Sequence, residues 1–123
     1  MKSDFSKEWA TSVQRRKQRK FRYNAPYHTR SLFLHVHLDS TLRAKHGTRA
    51  LRVRKGDTVK VLRGQDKGKI GKVERVDLQR IKVFVNGVDR PKRDGSKALL
   101  PIHPSNLMIT SLVSDKKRGL QNG

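Results

Sequence analysis

The stretch KGDTVKVLRGQDKGKIGKV, residues 55–73, decides the fold. Val59 and Val61 alternate with Lys60 and Leu62, which predicts a strand with one buried face and a basic outer face. Gly56-Asp57 stands immediately before that strand and predicts a tight turn. The stretch therefore indicates a hairpin whose two strands surround a glycine-rich loop.

The loop of this hairpin carries clustered cations. Gly64 and Gly68 bracket the position where the chain reverses. Gly71 lies just inside the next strand, where a missing side chain permits a bulge or a close backbone approach. A cationic loop of this kind can enter a nucleic-acid groove and hold phosphates on both sides. The candidate contacts are Arg63, Gly64, Lys67, Gly68, Lys69 and Lys72.

Short strands continue on both sides of the hairpin. Alternation marks residues 51–54 and 81–85 as strands, and the three-residue spacing of Val73 and Val76 predicts a bulge. Asn86-Gly87 predicts a turn. A final pair of strands is expected at residues 99–102 and 107–112. Because such strands recur about every ten residues, the sequence predicts a mainly β fold, a small barrel over residues 48–113, followed by a polar tail over residues 114–123.

Residues 1–47 show no alternation and predict helices. Ser6 can open a helix that carries Trp9 and Val13 on one side and runs into the basic stretch 15–22. Pro26 permits a second helix that reaches about residue 37. Its expected buried stripe consists of Leu32, Phe33 and Val36.

A third, short helix is expected over residues 41–45, where His46-Gly47 would end it. Its candidate N-caps are Asp39 and Ser40. The predicted organisation is thus a basic, largely helical extension over residues 1–47 that precedes the barrel.

The charge of the whole chain points to a polyanionic partner. Its 123 residues include 30 Lys or Arg and 10 Asp or Glu, which gives a net charge of +20. The excess is +9 in residues 1–49 and +11 in residues 50–123, so neither half is a neutral domain with a basic tail. Such a surface repels itself unless a polyanion neutralises it. Nucleic acid is the leading candidate and an anionic membrane surface is the rival, although the apolar side of the first helix is thin.

Several classes of function are excluded or disfavoured by residue type. The chain has no Cys, which removes disulfides, thiolate zinc sites and thiol nucleophiles. No apolar run is long enough to span a membrane. The acids near the hairpin are flanked by Lys or Arg, which suits ion pairs and turns better than acid–base catalysis. His35 and His37 lack a third ligand nearby, so we predict no metal site. We also predict no cofactor and no enzyme activity.

Three further groups of residues are candidates for RNA contact. The basic run consists of Arg15, Arg16, Lys17, Arg19, Lys20 and Arg22. Phe21, Tyr23 and Tyr27 follow closely, and aromatic rings beside cations can stack on unpaired bases. The alternative for the two tyrosines is that they pack the extension onto the barrel. Backbone N–H groups at the second helix start can hold a phosphate, together with Tyr27, His28 and Arg30. A second basic loop contributes Arg90, Lys92, Arg93 and Lys97.

Residues 53–85 resemble a KOW motif, which occurs in ribosomal proteins and in transcription elongation factors. The flanks decide between these classes: TRALRVRKGDTVKVLRG (48–64), IHPSNLMIT (102–110) and SVQRRKQRKFRYNAPYHTRSLF (12–33). Together they resemble the family of large-subunit ribosomal protein twenty-four in its archaeal and eukaryotic form. The resemblance covers residues 12–118, nearly the whole chain.

The resemblance implies an SH3-like barrel in a structural constituent of the large ribosomal subunit, located in the cytoplasm. It further implies binding to the 5′ region of the large-subunit ribosomal RNA near the nascent-chain tunnel exit. The implied partners are this RNA and neighbouring ribosomal proteins, and the implied role is in early assembly of the subunit. No small-molecule substrate is implied. The alternative is a KOW-type protein-interaction module of an elongation factor. Phe84 is the one aromatic residue of the strand region, so an aromatic cage is not expected there.

Overall fold

The computed structural model describes residues 4–113, so the predicted tail lies outside the described residues. Its three α-helices are α1 (Arg15–Asn24), α2 (Tyr27–Phe33) and α3 (Ser40–His46), with short 3₁₀ helices at Lys7–Thr11 and Pro104–Asn106. Its seven strands are β1 (His35–Leu38), β2 (Ala50–Arg52), β3 (Thr58–Val61), β4 (Ile70–Asp77), β5 (Lys82–Pro91), β6 (Lys97–Ile102) and β7 (Leu107–Ser111).

The seven strands form one sheet in the order β2-β1-β7-β3-β4-β5-β6. All neighbours are antiparallel except β1 and β7, which run parallel. Every strand contributes to a single apolar core, whose fully buried strand residues include Val36, Leu38, Val59, Val61, Val73, Val83, Val85, Leu107 and Ile109. A sheet that surrounds one core in this way is a small SH3-like β barrel, so the predicted fold class is confirmed.

The prediction of one continuous first helix is wrong, because the structure has two separate helical segments. A 3₁₀ turn capped by Ser6 ends at Thr11, and α1 begins only at Arg15. Between them Ser12 and Gln14 are extended. The Ser12 hydroxyl accepts from the Gln14 N–H at 3.2 Å, and the Gln18 amide donates to the Ser12 carbonyl at 2.7 Å. Side-chain hydrogen bonds to the backbone thus replace the helical ones at this point.

The predicted second helix is too long. It ends at Phe33, and His35–Leu38 form β1 between β2 and β7. Val36 and Leu38 are fully buried there, whereas Leu32 is 63% exposed, so the expected helical stripe does not exist. Pairing on both sides, with partners distant in sequence, overrides the local helical pattern. The barrel therefore includes one strand from residues 1–47.

The third helix is confirmed with its caps. The Asp39 carboxylate accepts from the Ser40 N–H at 2.8 Å, so Asp39 is the N-cap. Gly47 ends the helix in the left-handed conformation at φ 69°. Glycine adopts that conformation without the steric penalty of a Cβ.

The hairpin and its neighbours follow the prediction in part. The bulge in β4 is confirmed, since the β4–β5 register shifts between Val73 and Arg75. Asn86-Gly87 is not a turn, because β5 continues through it and the β5–β6 register shifts there instead.

The close approach at Gly71 is confirmed: a Cβ at this position would lie 2.3 Å from the Asn86 carbonyl oxygen. The two last strands do not pair with each other, since β6 pairs with β5, and β7 with β1 and β3.

Candidate nucleic-acid interface

Asp66 organises the loop between β3 and β4. Its buried carboxylate accepts from Lys69 Nζ at 2.8 Å and from Arg90 Nη2 at 3.0 Å. Arg90 Nη2 also donates to the Gln65 amide oxygen at 3.0 Å. The ion pair therefore fastens the first basic loop to β5, where the second basic loop begins. The prediction that the acids of this region suit ion pairs holds for Asp66.

The remaining cations of the loop face solvent. Arg63, Lys67 and Lys72 are exposed, whereas Lys69 and Arg90 give part of their hydrogen-bonding capacity to Asp66. Gly64 and Gly68 have φ values of 97° and 92°, and a Cβ at either position would meet open space. We call the exposed surface of residues 63–72 the loop surface.

The ion pairs of Asp66 make part of the stability sensitive to acid. Hydrogen bonds from Lys69 and then Arg90 hold the pKa of Asp66 below its usual value of 3.8. A carboxyl group with a lowered folded pKa stabilises the protein above its unfolded pKa and loses that contribution as the pH falls through the folded value.

We expect Asp66→Asn to lower the free energy of unfolding near neutral pH and to have progressively less effect below the usual carboxyl pKa of 3.8. Urea unfolding followed by circular dichroism at several pH values measures both effects. Glu74→Gln, at an exposed carboxylate of β4, is the matched control and should change stability little at any pH. A destabilisation by Asp66→Asn that stays constant into strong acid would contradict the assignment.

The basic run forms α1 and lies on the surface. Arg15, Arg16, Lys17, Arg19 and Arg22 are exposed, and Lys20 is half-buried, with its Nζ 5.2 Å from the centre of the Trp9 ring. Tyr23 is 81% exposed and Tyr27 is 65% exposed. Both tyrosine rings are therefore accessible, and other aromatic residues hold the helices together.

Three phenylalanines pack the N-terminal helices against each other. The Phe21 ring stacks on Phe5 at 5.3 Å between centroids and meets Phe33 edge-on at 5.9 Å. Aromatic pairs at these distances and angles attract each other beyond their apolar burial. Phe5, Phe21 and Phe33 thus pack the N-terminal segments against one another, and Tyr23 and Tyr27 do not take part in these ring contacts.

Arg30 ties the helices to the barrel. Its Nε donates to the Ala25 carbonyl at 2.8 Å, and its two Nη atoms donate to the carbonyls of Tyr23 and Gln79. Gln79 lies in the turn between β4 and β5, so one guanidinium joins the α1–α2 junction to that turn. A guanidinium has five N–H donors, which leaves two for a phosphate. Tyr27 and His28 are exposed on the first turn of α2. We call α1, the α1–α2 junction and this first turn the helical arm.

The second basic loop is a tight turn between β5 and β6. The Lys92 N–H donates to the Ser96 carbonyl at 2.6 Å, and Asp94 accepts from the Ser96 N–H at 3.0 Å. Hydrogen bonds from Ser96 lower the pKa of Asp94. Lys92, Arg93 and Lys97 are exposed beside this turn.

His35 and His37 lie on β1 rather than on a helix. Partial burial lowers the pKa of both imidazoles, with Arg52 adding to the effect at His35. Residues 4–113 contain no group of three side chains that could hold a metal ion. In the same range, no helix is long and apolar enough to cross a membrane.

The chain is similar to ribosomal proteins over most of its length. Residues 12–120 match the family that comprises the eukaryotic L26 and the archaeal L24 ribosomal proteins. Large ribosomal subunit protein uL24 of Methanocella arvoryzae is 55% identical over 105 residues, which are 85% of each chain. That of Methanocorpusculum labreanum is 56% identical over 102 residues, 83% of this chain and 84% of the relative. That of Methanosphaera stadtmanae is 48% identical over 107 residues, 87% of this chain and 92% of the relative.

These relatives are ribosomal, so the alternative of an elongation-factor module has no support. The match spans both the helical arm and the barrel, as the resemblance in residues 12–118 predicted. The chain belongs to the uL24 family of large-ribosomal-subunit proteins.

Proposed function

We propose that this chain binds the 5′ region of the large-subunit ribosomal RNA near the nascent-chain tunnel exit and assists early assembly of the subunit. As a member of its family it is a structural component of the large subunit of the cytoplasmic ribosome and not an enzyme.

The presence of two cationic surfaces on one barrel carries the proposal. The loop surface extends from β3 and β4, and the helical arm is fastened to the β4–β5 turn through Arg30. A-form RNA hides its base edges in a deep major groove, so proteins recognise its backbone, its shape and its 2′-hydroxyls. Two cationic surfaces suit that mode, because each can neutralise the phosphates of a different RNA helix.

Site-specific crosslinking tests where the RNA lies. Photoreactive groups placed at Lys67 on the loop surface and at Arg19 on the helical arm are expected to crosslink to the 5′ region of the large-subunit RNA in reconstituted particles. Crosslinks confined to other regions of that RNA would contradict the proposed location. Co-sedimentation with RNA polymerase instead of the large subunit would contradict the function itself.

Neutralising the helical arm is expected to lower the salt dependence of binding. The variant Arg15→Gln, Arg16→Gln, Lys17→Gln and Arg19→Gln removes four exposed cations. Because each neutralised phosphate adds about 0.7–0.9 to the slope of log affinity against log salt, we expect the slope to become about 3 less steep. A matched variant that exchanges Arg for Lys and Lys for Arg at these positions keeps the charge and should keep the slope. Equal slopes for both variants would show that the arm does not contact phosphate.

A further inference from the structure

The barrel carries a cationic groove whose lining residues belong to neither the loop surface nor the helical arm. It opens between the end of β2, the middle of β4 and the start of β6, and has a volume of about 1160 Å³. Its cations are Arg52, Arg54, Lys55, Arg75 and Lys97. Of these, the sequence predicted RNA contact only for Lys97. Small-molecule pockets measure about 300–1,000 Å³, so this groove has room for a nucleotide with its flanking backbone.

The bulge in β4 places a guanidinium over an aromatic ring in this groove. Arg75 and Phe84 are direct partners across β4 and β5, and the β4 register shifts between Val73 and Arg75. The Arg75 guanidinium carbon lies 4.2 Å from the centre of the half-buried Phe84 ring. Bulges re-aim side chains in this way next to functional sites. The ring supports one side of a guanidinium that is itself exposed, and an RNA base can stack on such a guanidinium plane.

The lining of the groove combines an apolar floor with charged walls. Val53 is buried, and Val76 and Leu99 are half-buried, whereas the cations are exposed. Glu74 is the carboxylate among the lining residues and can accept a hydrogen bond from the exocyclic amino group of a base. A peptide of acidic residues alone has no aromatic ring to stack on Arg75 and no side-chain donor to offer to Glu74. The lining therefore favours a nucleotide over a peptide.

We propose that this groove binds one unstacked nucleotide of single-stranded RNA, with its base on Arg75 and its phosphates among the surrounding cations. This inference rests on the proposed function, since it adds a single-stranded contact to a protein that holds RNA helices by their backbones. It assigns to Arg75 and Phe84 a binding role that neither charge nor alternation in the sequence indicated.

Titration of the full chain with a cytidine hexaribonucleotide tests the inference by NMR. We expect shift changes at the Arg75 side chain and at the Phe84 ring. Arg75→Lys keeps the positive charge but removes the planar guanidinium on which the base stacks, and should weaken hexamer binding about tenfold. Arg49→Lys, at an exposed position just before β2 that does not line the groove, is the matched control and should leave the affinity unchanged.

Two results would overturn the inference. One is equal hexamer affinity for Arg75→Lys and the unaltered chain, and the other is an equal or larger response of Arg75 and Phe84 to a hexaglutamate peptide. Binding of the structured 5′ ribosomal RNA fragment is measured beside both. If that fragment binds while the hexamer leaves the groove unperturbed, the inference fails and the proposed function stands. If the fragment does not bind either, the proposed function fails.

Discussion

Replacing Gly71 with alanine is expected to lower the free energy of unfolding by about 3 kcal/mol. The new Cβ would lie 2.3 Å from the Asn86 carbonyl oxygen and 3.0 Å from a methyl carbon of Val85. The first of these atoms belongs to the backbone, so β4 and β5 must move apart to accommodate it. Both strands carry core residues, and the cost therefore spreads into the packing of the barrel. Thermal unfolding should shift downward by about 10 °C.

Gly95→Ala is the control for this prediction. Gly95 lies in the β5–β6 turn with φ 93°, and a Cβ there would meet open space. That variant suffers from backbone strain without a collision, and should cost about 1 kcal/mol. Urea unfolding of both variants compares the two effects. If Gly71→Ala were no less stable than Gly95→Ala, the close approach of β4 and β5 at this point would be wrong.

Replacing Asp57 with alanine is the second change with a large expected effect. Its fully buried carboxylate accepts from the Arg54 N–H at 2.9 Å and from the Val113 N–H at 3.0 Å. It thereby joins the turn before β3 to the segment after β7. Alanine leaves the donors of two part-buried hydrogen bonds without this acceptor. A backbone N–H that is shielded from water and loses its partner costs about 1–3 kcal/mol. We expect Asp57→Ala to lower the free energy of unfolding by about 3 kcal/mol in total.

The matched control for Asp57 is Asp94→Ala. Asp94 also accepts a backbone N–H within a turn, from Ser96, but its side chain is exposed. Water can replace the lost hydrogen bond there, so the change should lower the free energy of unfolding much less than Asp57→Ala does. The same urea titration measures both variants. If Asp57→Ala and Asp94→Ala lowered the free energy of unfolding equally, the burial of Asp57 would be unimportant for stability. Asp57→Asn should remain destabilised, because its amide group would place a donor against one of the two N–H groups.

Local chemistry was sufficient to predict most of the barrel. Alternating valines mark β3 and the first part of β5 because one face of each strand is buried. The caps of α3 were readable because Asp39 and Gly47 act on their own neighbours. β1 was missed because its stability comes from strands 12 or more residues away, at Ala50–Arg52 and Leu107–Ser111. Four residues next to a helix carry too little periodicity to reveal such pairing.

The charged residues of the candidate interface were predictable from the sequence, but the contacts between them were not. The basic run and the loop cations are visible as clusters, and most of them are exposed. The contact of Arg90 with Asp66 spans 24 residues and depends on how β5 lies beside the loop. The groove with Arg75 depends on a bulge that aligns it with Phe84. In the sequence, Arg75 is one more cation on a basic strand, so no local signal separates it from the others.

The salt dependence of RNA binding tests the central claim most directly. The claim is that this barrel and its helical arm hold ribosomal RNA by neutralising phosphates at fixed positions. If the full chain covers roughly 10 phosphates, a filter-binding titration with the 5′ ribosomal RNA fragment should give a slope of about −7 to −9 for log affinity against log salt. A slope near zero, or equal affinity for an uncharged polymer, would contradict the claim.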